Sequence, residues 1–492
     1  MSDSEKVRLL TNRQMLEDHL VGKGLSPIAA RQKAELFVKA AAPKLAALGG
    51  TSLSSEGRGR SGEHALRRPA LRVGARQGRA TLPLPDPLAF FVPGRIEVLG
   101  KHTDYAGGHS MVAAVEQGFC TVVWPCKGTH VTVTDVARSE SVEFDLEPTL
   151  SPPSGHWSNY PMTVARRIAR NFPQARRGAG VFFLSDLPPA AGMSSSSAMI
   201  VAMFLALAEV NDLWADPDCQ RLASDRLQLA EYLGCVENGQ SFGPLAGDRG
   251  VGTFGGSEDH TAILCGLANH VSQYAYCPVE FESAIPVPPG YMFAVGVSGV
   301  VAEKTGAALE KYNTASRLAS VLAELWRRET GRDDPHLANA LNSSPDASAR
   351  FRQIAAGAAT TEFSAATLSA RLEHFMVESG EIIPAAGRAL QQGDLAGFGR
   401  LVDRSQQAAE QLLGNQVPET IYLAASARSH RAAAASAFGA GFGGSVWALV
   451  RAADAEPFLA TWADRYRKKF PQHAPSSAFF TTAAGPAAFR VC

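Results

Sequence analysis

"SDLPPAAGMSSSSAMIVAMFLALAEV", residues 185–210, is the stretch that decides the fold of this chain. It follows a β-rich run that begins at Val181, and its Pro/Ala/Gly loop leads to four consecutive serines. The residues after the serines are almost all apolar as far as Val210, which is typical of a buried helix. The sequence therefore predicts a strand, a loop and a helix that begins at the serines.

The beginning of that helix has the chemistry of a phosphate-binding site. Backbone N–H groups in the first turn of a helix have no partner within the helix, and they attract anions. Small loop residues let the backbone approach an anion closely, and serine hydroxyls add hydrogen bonds or a magnesium contact. No lysine follows as in GxxxxGK[ST], which excludes a P-loop. The alternative is a serine-rich N-cap, although four serines exceed what capping requires.

A second polar cluster lies in "GRIEVLGKHTDYAGG", residues 94–108. A strand-like run ends at a glycine, and four side chains that hydrogen-bond or carry charge follow it: Lys101, His102, Asp104 and Tyr105. Such a cluster at a strand-to-loop corner indicates a small-molecule site. The alternative is structural, with a hydrogen-bonded histidine and a turn-capping aspartate.

A glycine-rich loop, "FGAGFGGSVWALV", occupies residues 438–450 and runs into an apolar strand. Its glycines permit positive φ angles and a close backbone approach to a ligand. Taken alone, the pattern is a weak signal, because glycine-rich turns before strands are common and a packing turn is the default interpretation.

Composition excludes several classes of protein. The chain has 492 residues, 46% of them hydrophobic, and its formal net charge is +0. This balance gives no reason to expect nucleic acid or an anionic membrane as a partner, and no apolar run reaches the ~18 residues of a membrane span. The seven cysteines show no CxxC pair, which is typical of reduced thiols in a cytoplasmic protein. We expect a monomer or a homodimer.

Changes in composition divide the chain into three parts. Residues 1–85 are predicted to be a helical extension followed by an Arg-, Gly- and Ser-rich linker, because helical periodicity gives way to a run without aromatic residues. A basic nucleic-acid or membrane patch is the alternative for the linker. Mixed helices and strands follow over residues 86–286. A Pro-rich stretch then marks a boundary, and residues 287–492 form the last domain.

Together, the three motifs resemble the signature motifs of the GHMP kinases, in order and in approximate spacing, and "PGRIEVLGKHTDYAGG" resembles the galactokinase signature. Further resemblance lies in "HWSNYPMTVARRIARNFP", "GGSEDHTAILCG", "EKYN" and "AGRALQQGDLAGFGRLVDRSQQ". It covers roughly residues 86–492 and implies an α/β (α+β) fold of two domains. The first domain would contain a mixed sheet, the second would be ferredoxin-like, and the helical extension would precede both.

The resemblance also implies where ATP and Mg²⁺ bind. The loop would hold the triphosphate through Ala190, Ala191, Gly192, Met193, Ser194, Ser195, Ser196 and Ser197. Trp157 would lie near the adenine, and Ser196 and Glu237 would contact the metal. Magnesium keeps most of its ligands as phosphate oxygens and water in such sites.

By the same resemblance, the chain would be an ATP-dependent sugar 1-kinase that phosphorylates the anomeric hydroxyl of a galactose-like hexose. Asp259 would accept the hydroxyl proton or orient the hydroxyl, and Arg95 would stabilise charge on the transferred group. The sugar would be bound by Lys101, His102, Asp104, Gly256 and Tyr312. A structural Arg95–Asp259 ion pair is the alternative, and a non-catalytic sugar and ATP sensor on the same scaffold is another.

Three departures from the family pattern affect the choice of sugar. Lys101 replaces a glutamate that accepts a hydrogen bond from the C6 hydroxyl, and lysine has only donors. A uronic acid would gain a charge-assisted bond there, unless Lys101 points away to solvent or pairs with an acid such as Glu97. Glu97 itself replaces an asparagine. Residues 241–252 are an insertion that would reshape the sugar pocket or act as a lid.

Overall fold

The computed structural model describes residues 1–47, 86–300 and 306–492. Most of the predicted Arg-, Gly- and Ser-rich linker lies outside these ranges. No helix within them is long and apolar enough to cross a membrane.

The chain up to residue 286 begins with helices and continues with mixed helices and strands. Its elements are α1 (Asp3–Thr11), α2 (Arg13–Gly22), α3 (Pro27–Ala47), β1 (Leu88–Leu99), β2 (His109–Pro125), β3 (His130–Asp135), β4 (Glu140–Asp145), α4 (Asn159–Asn171), β5 (Ala179–Ser185), α5 (Ser195–Val210), α6 (Pro217–Ser224), α7 (Arg226–Asn238), α8 (Glu258–Cys265), β6 (His270–Ala275) and β7 (Glu280–Pro286). The predicted strand, loop and serine-initiated helix correspond to β5, its following loop and α5.

The remainder is richer in helices. Its elements are β8 (Tyr291–Val297), α9 (Gly306–Thr330), α10 (Leu337–Leu341), α11 (Ala347–Ala356), α12 (Ala365–Phe375), α13 (Ile383–Gln391), α14 (Leu395–Ala408), α15 (Pro418–Ser429), β9 (Ala434–Phe438), β10 (Ser445–Arg451), α16 (Ala455–Lys469), β11 (Ala478–Thr482) and β12 (Phe489–Arg490). A π-helical turn, Met376–Ile382, joins α12 to α13.

The first sheet has the strand order β12-β1-β2-β5-β3-β4, and β6 and β7 extend from β2. β3 and β5 are parallel while the pair β1 and β2 is antiparallel, so the predicted mixed sheet is confirmed. The register of β1 shifts between Pro93 and Arg95 and again between Glu97 and Leu99. Such irregularities re-aim side chains and are common beside functional sites. Arg95 and Glu97 lie between the two shifts.

The second sheet has the order β11-β8-β10-β9, with antiparallel neighbours throughout. Helices separate β8 from β9, and α16 separates β10 from β11, which is the β-α-β-β-α-β chain order of a ferredoxin-like domain. The predicted ferredoxin-like second half is therefore confirmed. The domain boundaries at residues 86 and 286 stay predictions, and the final strand, β12, pairs with β1 of the first sheet.

The three N-terminal helices pack on one face of the first sheet. Apolar side chains of the helices and of the sheet share a buried cluster that includes Leu16, Leu20, Phe37, Phe91 and Trp124. Charged contacts supplement this packing. The Lys33 ammonium, which is fully buried, binds the Asp186 carboxylate at the end of β5, and Asp186 also accepts a hydrogen bond from the Gly118 N–H at 2.9 Å. The extension therefore contacts the chain just before the serine loop.

Replacing Lys33 with methionine is expected to lower the free energy of unfolding by about 1–3 kcal/mol, because the Asp186 carboxylate loses a charged donor. Lys39→Met, at an exposed position of the same helix, is the matched control and is expected to change stability by less than about 0.5 kcal/mol. Urea unfolding of both variants measures the difference. Equal stabilities would contradict a role for the Lys33–Asp186 contact in attaching the extension.

Candidate active site

A cavity of about 500 Å³ collects residues from all three sequence motifs. Most of the predicted site residues line it: Arg95, His102, Asp104, Trp157, Ala190, Gly192, Ser194, Ser195, Ser196, Glu237, Gly256, Asp259 and Tyr312. Four predicted residues, namely Lys101, Ala191, Met193 and Ser197, are not among the described lining residues. The fold thus brings together segments that are more than 100 residues apart in the sequence.

The serine loop enters α5 without a side-chain cap. Ser194 is the N-cap residue, its φ is 58°, and its side chain makes no capping hydrogen bond. Its hydroxyl oxygen is buried and has no hydrogen-bond partner among the described residues. The N-cap alternative therefore lacks the bond that defines a cap. Ser195 and Ser196 follow on the cavity wall, so the loop presents hydroxyls to the cavity at a helix N-terminus.

The glycine-rich loop packs directly against the serine loop. A Cβ atom on Gly439 would approach the Gly192 carbonyl oxygen to 2.8 Å, and the φ of Gly439 is +80°. The Ser445 hydroxyl donates a hydrogen bond to the Ala191 carbonyl at 2.6 Å. Both the close approach and the positive φ require glycine at residue 439. The glycines thus allow two loops to meet beside the cavity.

The buried Arg95 and the partly buried Asp259 form an ion pair on the cavity wall. The Arg95 Nε donates to Asp259 Oδ1 at 2.8 Å, and Nη2 lies 2.7 Å from the same oxygen. The third guanidinium nitrogen, Nη1, donates to the Gly192 carbonyl at 2.6 Å. Burial alone would lower the pKa of Arg95, but the carboxylates of Asp259, Glu97 and Glu258 raise it above its ordinary value. Arg95 therefore stays charged and links Asp259 to the serine loop.

A hydroxyl joins Asp259 to a second carboxylate. The Ser197 hydroxyl lies 2.7 Å from Glu237 Oε2 and 3.2 Å from Asp259 Oδ2. The sequence predicts Ser196 as the metal contact, and Ser196 lines the cavity, whereas the hydroxyl beside Glu237 belongs to Ser197. The candidate metal ligands, Ser196 and Glu237, would offer oxygen atoms only. This fits Mg²⁺, which takes one or two carboxylates and completes its shell with phosphate and water.

The loop that follows β1, residues 100–108, is held close to α8. The Asp104 Oδ2 atom accepts a hydrogen bond from the Glu258 N–H at 3.2 Å. A Cβ atom on Gly256 would lie 2.4 Å from that same oxygen, so a larger residue would displace Asp104. His102 adopts a φ of 58°, and its Nε2 lies 3.1 Å from the Ala440 carbonyl of the glycine-rich loop.

Two buried residues from the helical part of the chain position this loop, and the sequence analysis missed both. Arg371 on α12 donates to the His102 carbonyl at 2.6 Å. Glu378, on the π-helical turn, accepts from the Gly100 N–H at 2.9 Å. Neither lies in a recognisable motif. The main signal in the sequence is a charged residue at a helical position that would otherwise be apolar.

Lys101 points away from the described part of the cavity. Its side chain is fully buried, and Nζ lies 2.9 Å from the Ser436 hydroxyl and 3.4 Å from that of Ser405. A buried ammonium needs hydrogen-bond acceptors and a counter-charge. The charges of Lys101 and Arg95 lower the pKa of Glu97 against the stronger effect of burial. Lys101 therefore does not point to solvent, as one sequence-based alternative had it, because its side chain is buried and bonded to two serines.

Glu97 also lines the cavity, although the sequence analysis gave it no role in binding. It lies two residues after Arg95 on β1, so both side chains lie on the same face of the strand. Burial raises the pKa of Glu97 to about 7, although Arg95 and Lys101 oppose this. A pair of charged residues at spacing two in an otherwise apolar strand is the signal that would have identified it.

Two packed aromatic residues, Trp157 and Phe183, form part of the cavity wall. Trp157 packs edge-to-face on Phe183, with ring centroids 5.9 Å apart, and both residues line the cavity. A flat apolar surface of this kind suits a nucleotide base, because aromatic rings stack on one another.

Three family models match the chain. They are the galactokinase galactose-binding signature over residues 83–125, the GHMP kinases N terminal domain over residues 159–244, and the GHMP kinases C terminal over residues 388–468. The chain belongs to the GHMP kinase superfamily. Within it, the protein is a galactokinase-like phosphotransferase.

Individual relatives agree with this assignment. A galactokinase from Actinobacillus pleuropneumoniae serotype 3 is 27% identical over 383 residues, which cover 77% of this chain and 89% of that protein. A galactokinase from Halalkalibacterium halodurans is 24% identical over 400 residues, 78% of this chain and 89% of its own. The crystal structure of Lactococcus lactis galactokinase complexed with galactose superposes with a TM-score of 0.66 at 22% identity and covers 82% of this chain and 95% of that one. This likeness establishes the two-domain GHMP kinase fold.

The insertion at residues 241–252 of this GHMP kinase is anchored by buried charges. Arg166 on α4 donates to Asp248 Oδ2 at 2.7 Å, and both side chains are buried. The Val251 carbonyl accepts a hydrogen bond from Asn159 at 3.1 Å, and Val251 lines the cavity. Val251 thus places one residue of the insertion in the cavity wall, and the buried Arg166–Asp248 contact anchors the insertion close by, which favours the pocket-shaping alternative over the lid.

Replacing Glu97 with glutamine is expected to change how the stability of this kinase depends on pH. The folded-state pKa of Glu97, about 7, lies above its ordinary value of 4.5, so between these values the folded state binds more protons than the unfolded state. Stability from this group therefore falls as pH rises from about 4.5 to 7. Arg95, Lys101, Asp259 and Glu378 face the group.

Glu97→Gln removes that titration. The free energy of unfolding of the variant, relative to wild type, should therefore rise between pH 5 and pH 8, by up to ~3 kcal/mol. Urea unfolding at both pH values measures the change. A difference that stays constant or falls with pH would contradict the raised pKa.

Proposed function

We propose that this GHMP kinase transfers the γ-phosphoryl group of ATP to the anomeric hydroxyl of a galactose-like hexose. In this proposal Asp259 orients the hydroxyl and accepts its proton, and Arg95 offsets the charge of the transferred group. The supporting observation is the position of Asp259. Asp259 is the next residue after Glu258, whose N–H donates to Asp104 in the proposed sugar-binding loop. Through Arg95, Asp259 is also linked to the Gly192 carbonyl in the proposed phosphate-binding loop.

The proposed transfer is a single displacement. The anomeric oxygen forms a bond to the γ-phosphorus while the bond from that phosphorus to the β–γ bridging oxygen breaks, and ADP leaves. The hydroxyl proton passes to a carboxylate oxygen of Asp259. Because the transition state of phosphoryl transfer is loose, positioning and electrostatics supply most of the catalysis. Arg95 suits this role because its contacts with Asp259 and the Gly192 carbonyl fix its orientation.

ATP would bind with its triphosphate at the serine loop and its adenine near Trp157. The serine loop contributes a helix N-terminus, and its residues Ser194, Ser195 and Ser196 line the cavity. Mg²⁺, when bound with ATP, would neutralise phosphate charge. Glu237 and Ser196 are the residues proposed to hold it, and the Ser197 hydroxyl fixes the Glu237 carboxylate.

Replacing Glu237 with glutamine is expected to raise the Mg²⁺ concentration needed for half-maximal activity by at least ~10-fold, since a neutral amide is a poorer ligand for a hard cation than a carboxylate. Glu231→Gln, on the same helix, is the control and should keep the wild-type requirement. The measurement is ADP release at saturating ATP over a range of free Mg²⁺. Identical magnesium curves for the two variants would remove Glu237 from the metal site.

A uronic-acid kinase is the alternative that the sequence raised, with Lys101 as the selecting residue. The hydrogen bonds of Lys101 to Ser436 and Ser405, outside the described cavity wall, weigh against it. A panel of hexoses and uronic acids is incubated with ATP, and the ADP released with each sugar tests the hexose-kinase and uronic-acid-kinase proposals. Galactose is expected to be turned over faster than galacturonate, and the reverse order would favour the alternative.

A non-catalytic sensor of sugar and ATP is the second alternative. It would retain the cavity but release no ADP with any sugar of the panel. The intact Arg95–Asp259 pair favours the enzyme, because a sensor has no need of a proton acceptor. A cytoplasmic location and a monomeric or dimeric state stay predictions.

A further inference from the structure

Glu97 has an unused acceptor on the cavity wall. The residue is 3% exposed and lines the cavity. Its Oε1 atom is buried and finds no hydrogen-bond partner in the part of the chain that the structure describes. A buried carboxylate oxygen without a partner is costly, so its persistence beside a cavity points to a ligand that donates to it.

The surroundings of Glu97 restrict what that ligand group can be. Asp104, Glu258 and Asp259 line the same cavity, and burial together with the Glu97 and Asp104 charges raises the pKa of Glu258. Arg95 is already bonded to Asp259 and Gly192. A second carboxylate at this place would be repelled, whereas a hydroxyl would donate a hydrogen bond to a charged acceptor.

We propose that Glu97 determines specificity by accepting a hydrogen bond from a hydroxyl of a neutral sugar. The inference rests on the proposed function. It adds that the substrate group facing Glu97 is a hydroxyl, which donates a hydrogen bond, and not a carboxylate. Lys101 contributes indirectly, as a buried positive charge that acts on Glu97 and is held by Ser436 and Ser405.

The opposite charges of Lys101 and Glu97 explain why this chain can bury both residues. Lys101 and Glu97 are each buried, and each would be unfavourable without an opposite charge nearby. Lys101 is not among the described lining residues of the cavity, so it bears on the sugar through the positive charge that it places near Glu97. A purely structural Glu97 would instead be expected to use both of its oxygens within the protein.

The test compares galactose with its 2-, 3-, 4- and 6-deoxy analogues in the wild-type enzyme and in Glu97→Gln, at pH 8. The measured quantity is kcat/KM with saturating ATP. For each analogue, the kcat/KM for galactose is divided by the kcat/KM for the analogue, and this ratio is compared between the two proteins. We expect this ratio to fall roughly tenfold in the variant for one analogue and to stay constant for the others, because the charged hydrogen bond to one hydroxyl is weakened.

Glu116→Gln is the matched control, since Glu116 is a buried glutamate of β2 that accepts a hydrogen bond from the Ser26 N–H. It should leave all four ratios at their wild-type values. If Glu97→Gln lowers kcat/KM equally for galactose and every analogue, Glu97 is structural and the inference is wrong while the proposed function stands. Turnover of galacturonate above that of galactose by the wild type would also overturn it. No phosphorylation of any sugar by the wild type would instead refute the proposed function.

Discussion

Asp259→Asn is expected to lower kcat at least ~100-fold while ATP still binds. Asparagine preserves the shape of the side chain. Its carbonyl oxygen can still accept from Arg95 at the Oδ1 position, and its amide NH2 at the Oδ2 position can donate to the Ser197 hydroxyl oxygen, whose own proton can go to Glu237. Asparagine cannot accept the proton of the sugar hydroxyl. The change therefore separates proton transfer from cavity shape. Steady-state kinetics with galactose, together with calorimetric titration of ATP, measure both effects.

Asp403→Asn is the matched control for this variant. Asp403 forms a two-point contact with Arg428, at 2.7 and 2.9 Å, and it is not among the described lining residues of the cavity. We expect its kcat to stay within about twofold of wild type. If Asp259→Asn retained near-wild-type kcat, the proton acceptor would have to be another group, and the proposed role of Asp259 would be wrong.

Arg95→Met is expected to lower kcat by about 100- to 1,000-fold, because a fixed positive charge beside the transferred phosphoryl group is lost. Stability should also fall, by about 2–4 kcal/mol, since Asp259 loses its buried partner. Arg95→Lys retains the charge but lacks the planar fork that reaches Asp259 and Gly192 together. Its kcat should lie between those of wild type and Arg95→Met.

Arg226→Met is the control at an exposed arginine outside the cavity. Arg226 donates to the Leu264 carbonyl at 3.0 Å and is not one of the described residues that line the cavity. It should lower stability with little change in kcat at a temperature where the protein is folded. If both arginine variants lost stability but kept kcat, the Arg95–Asp259 pair would be structural.

The elements around the site were largely predictable because each has a local signal. The serine loop and α5 follow from a run of apolar residues after four serines, and the glycine-rich loop follows from its glycines. The resemblance to the GHMP kinases then brings these segments together. Gly439 and Gly192 give the physical reason for their contact, since a side chain on Gly439 would meet the Gly192 carbonyl.

The orientation of individual side chains was less predictable, because it depends on partners far along the chain. Lys101 is turned towards Ser405 and Ser436, which lie 304 and 335 residues further on. No local pattern contains those partners, and motif register alone suggested that Lys101 faces the sugar. Glu378 positions Gly100 across a separation of 278 residues for the same reason.

The position of the transferred phosphate is the most direct test of sugar 1-kinase activity. Wild-type enzyme is incubated with ATP, Mg²⁺ and galactose, and the product is analysed by phosphorus NMR. A sugar phosphate whose signal couples to the anomeric proton, formed in equal amount with ADP, is the expected result. Phosphate on any other carbon of the sugar, or no sugar phosphate with galactose and the other hexoses of the panel, would contradict it.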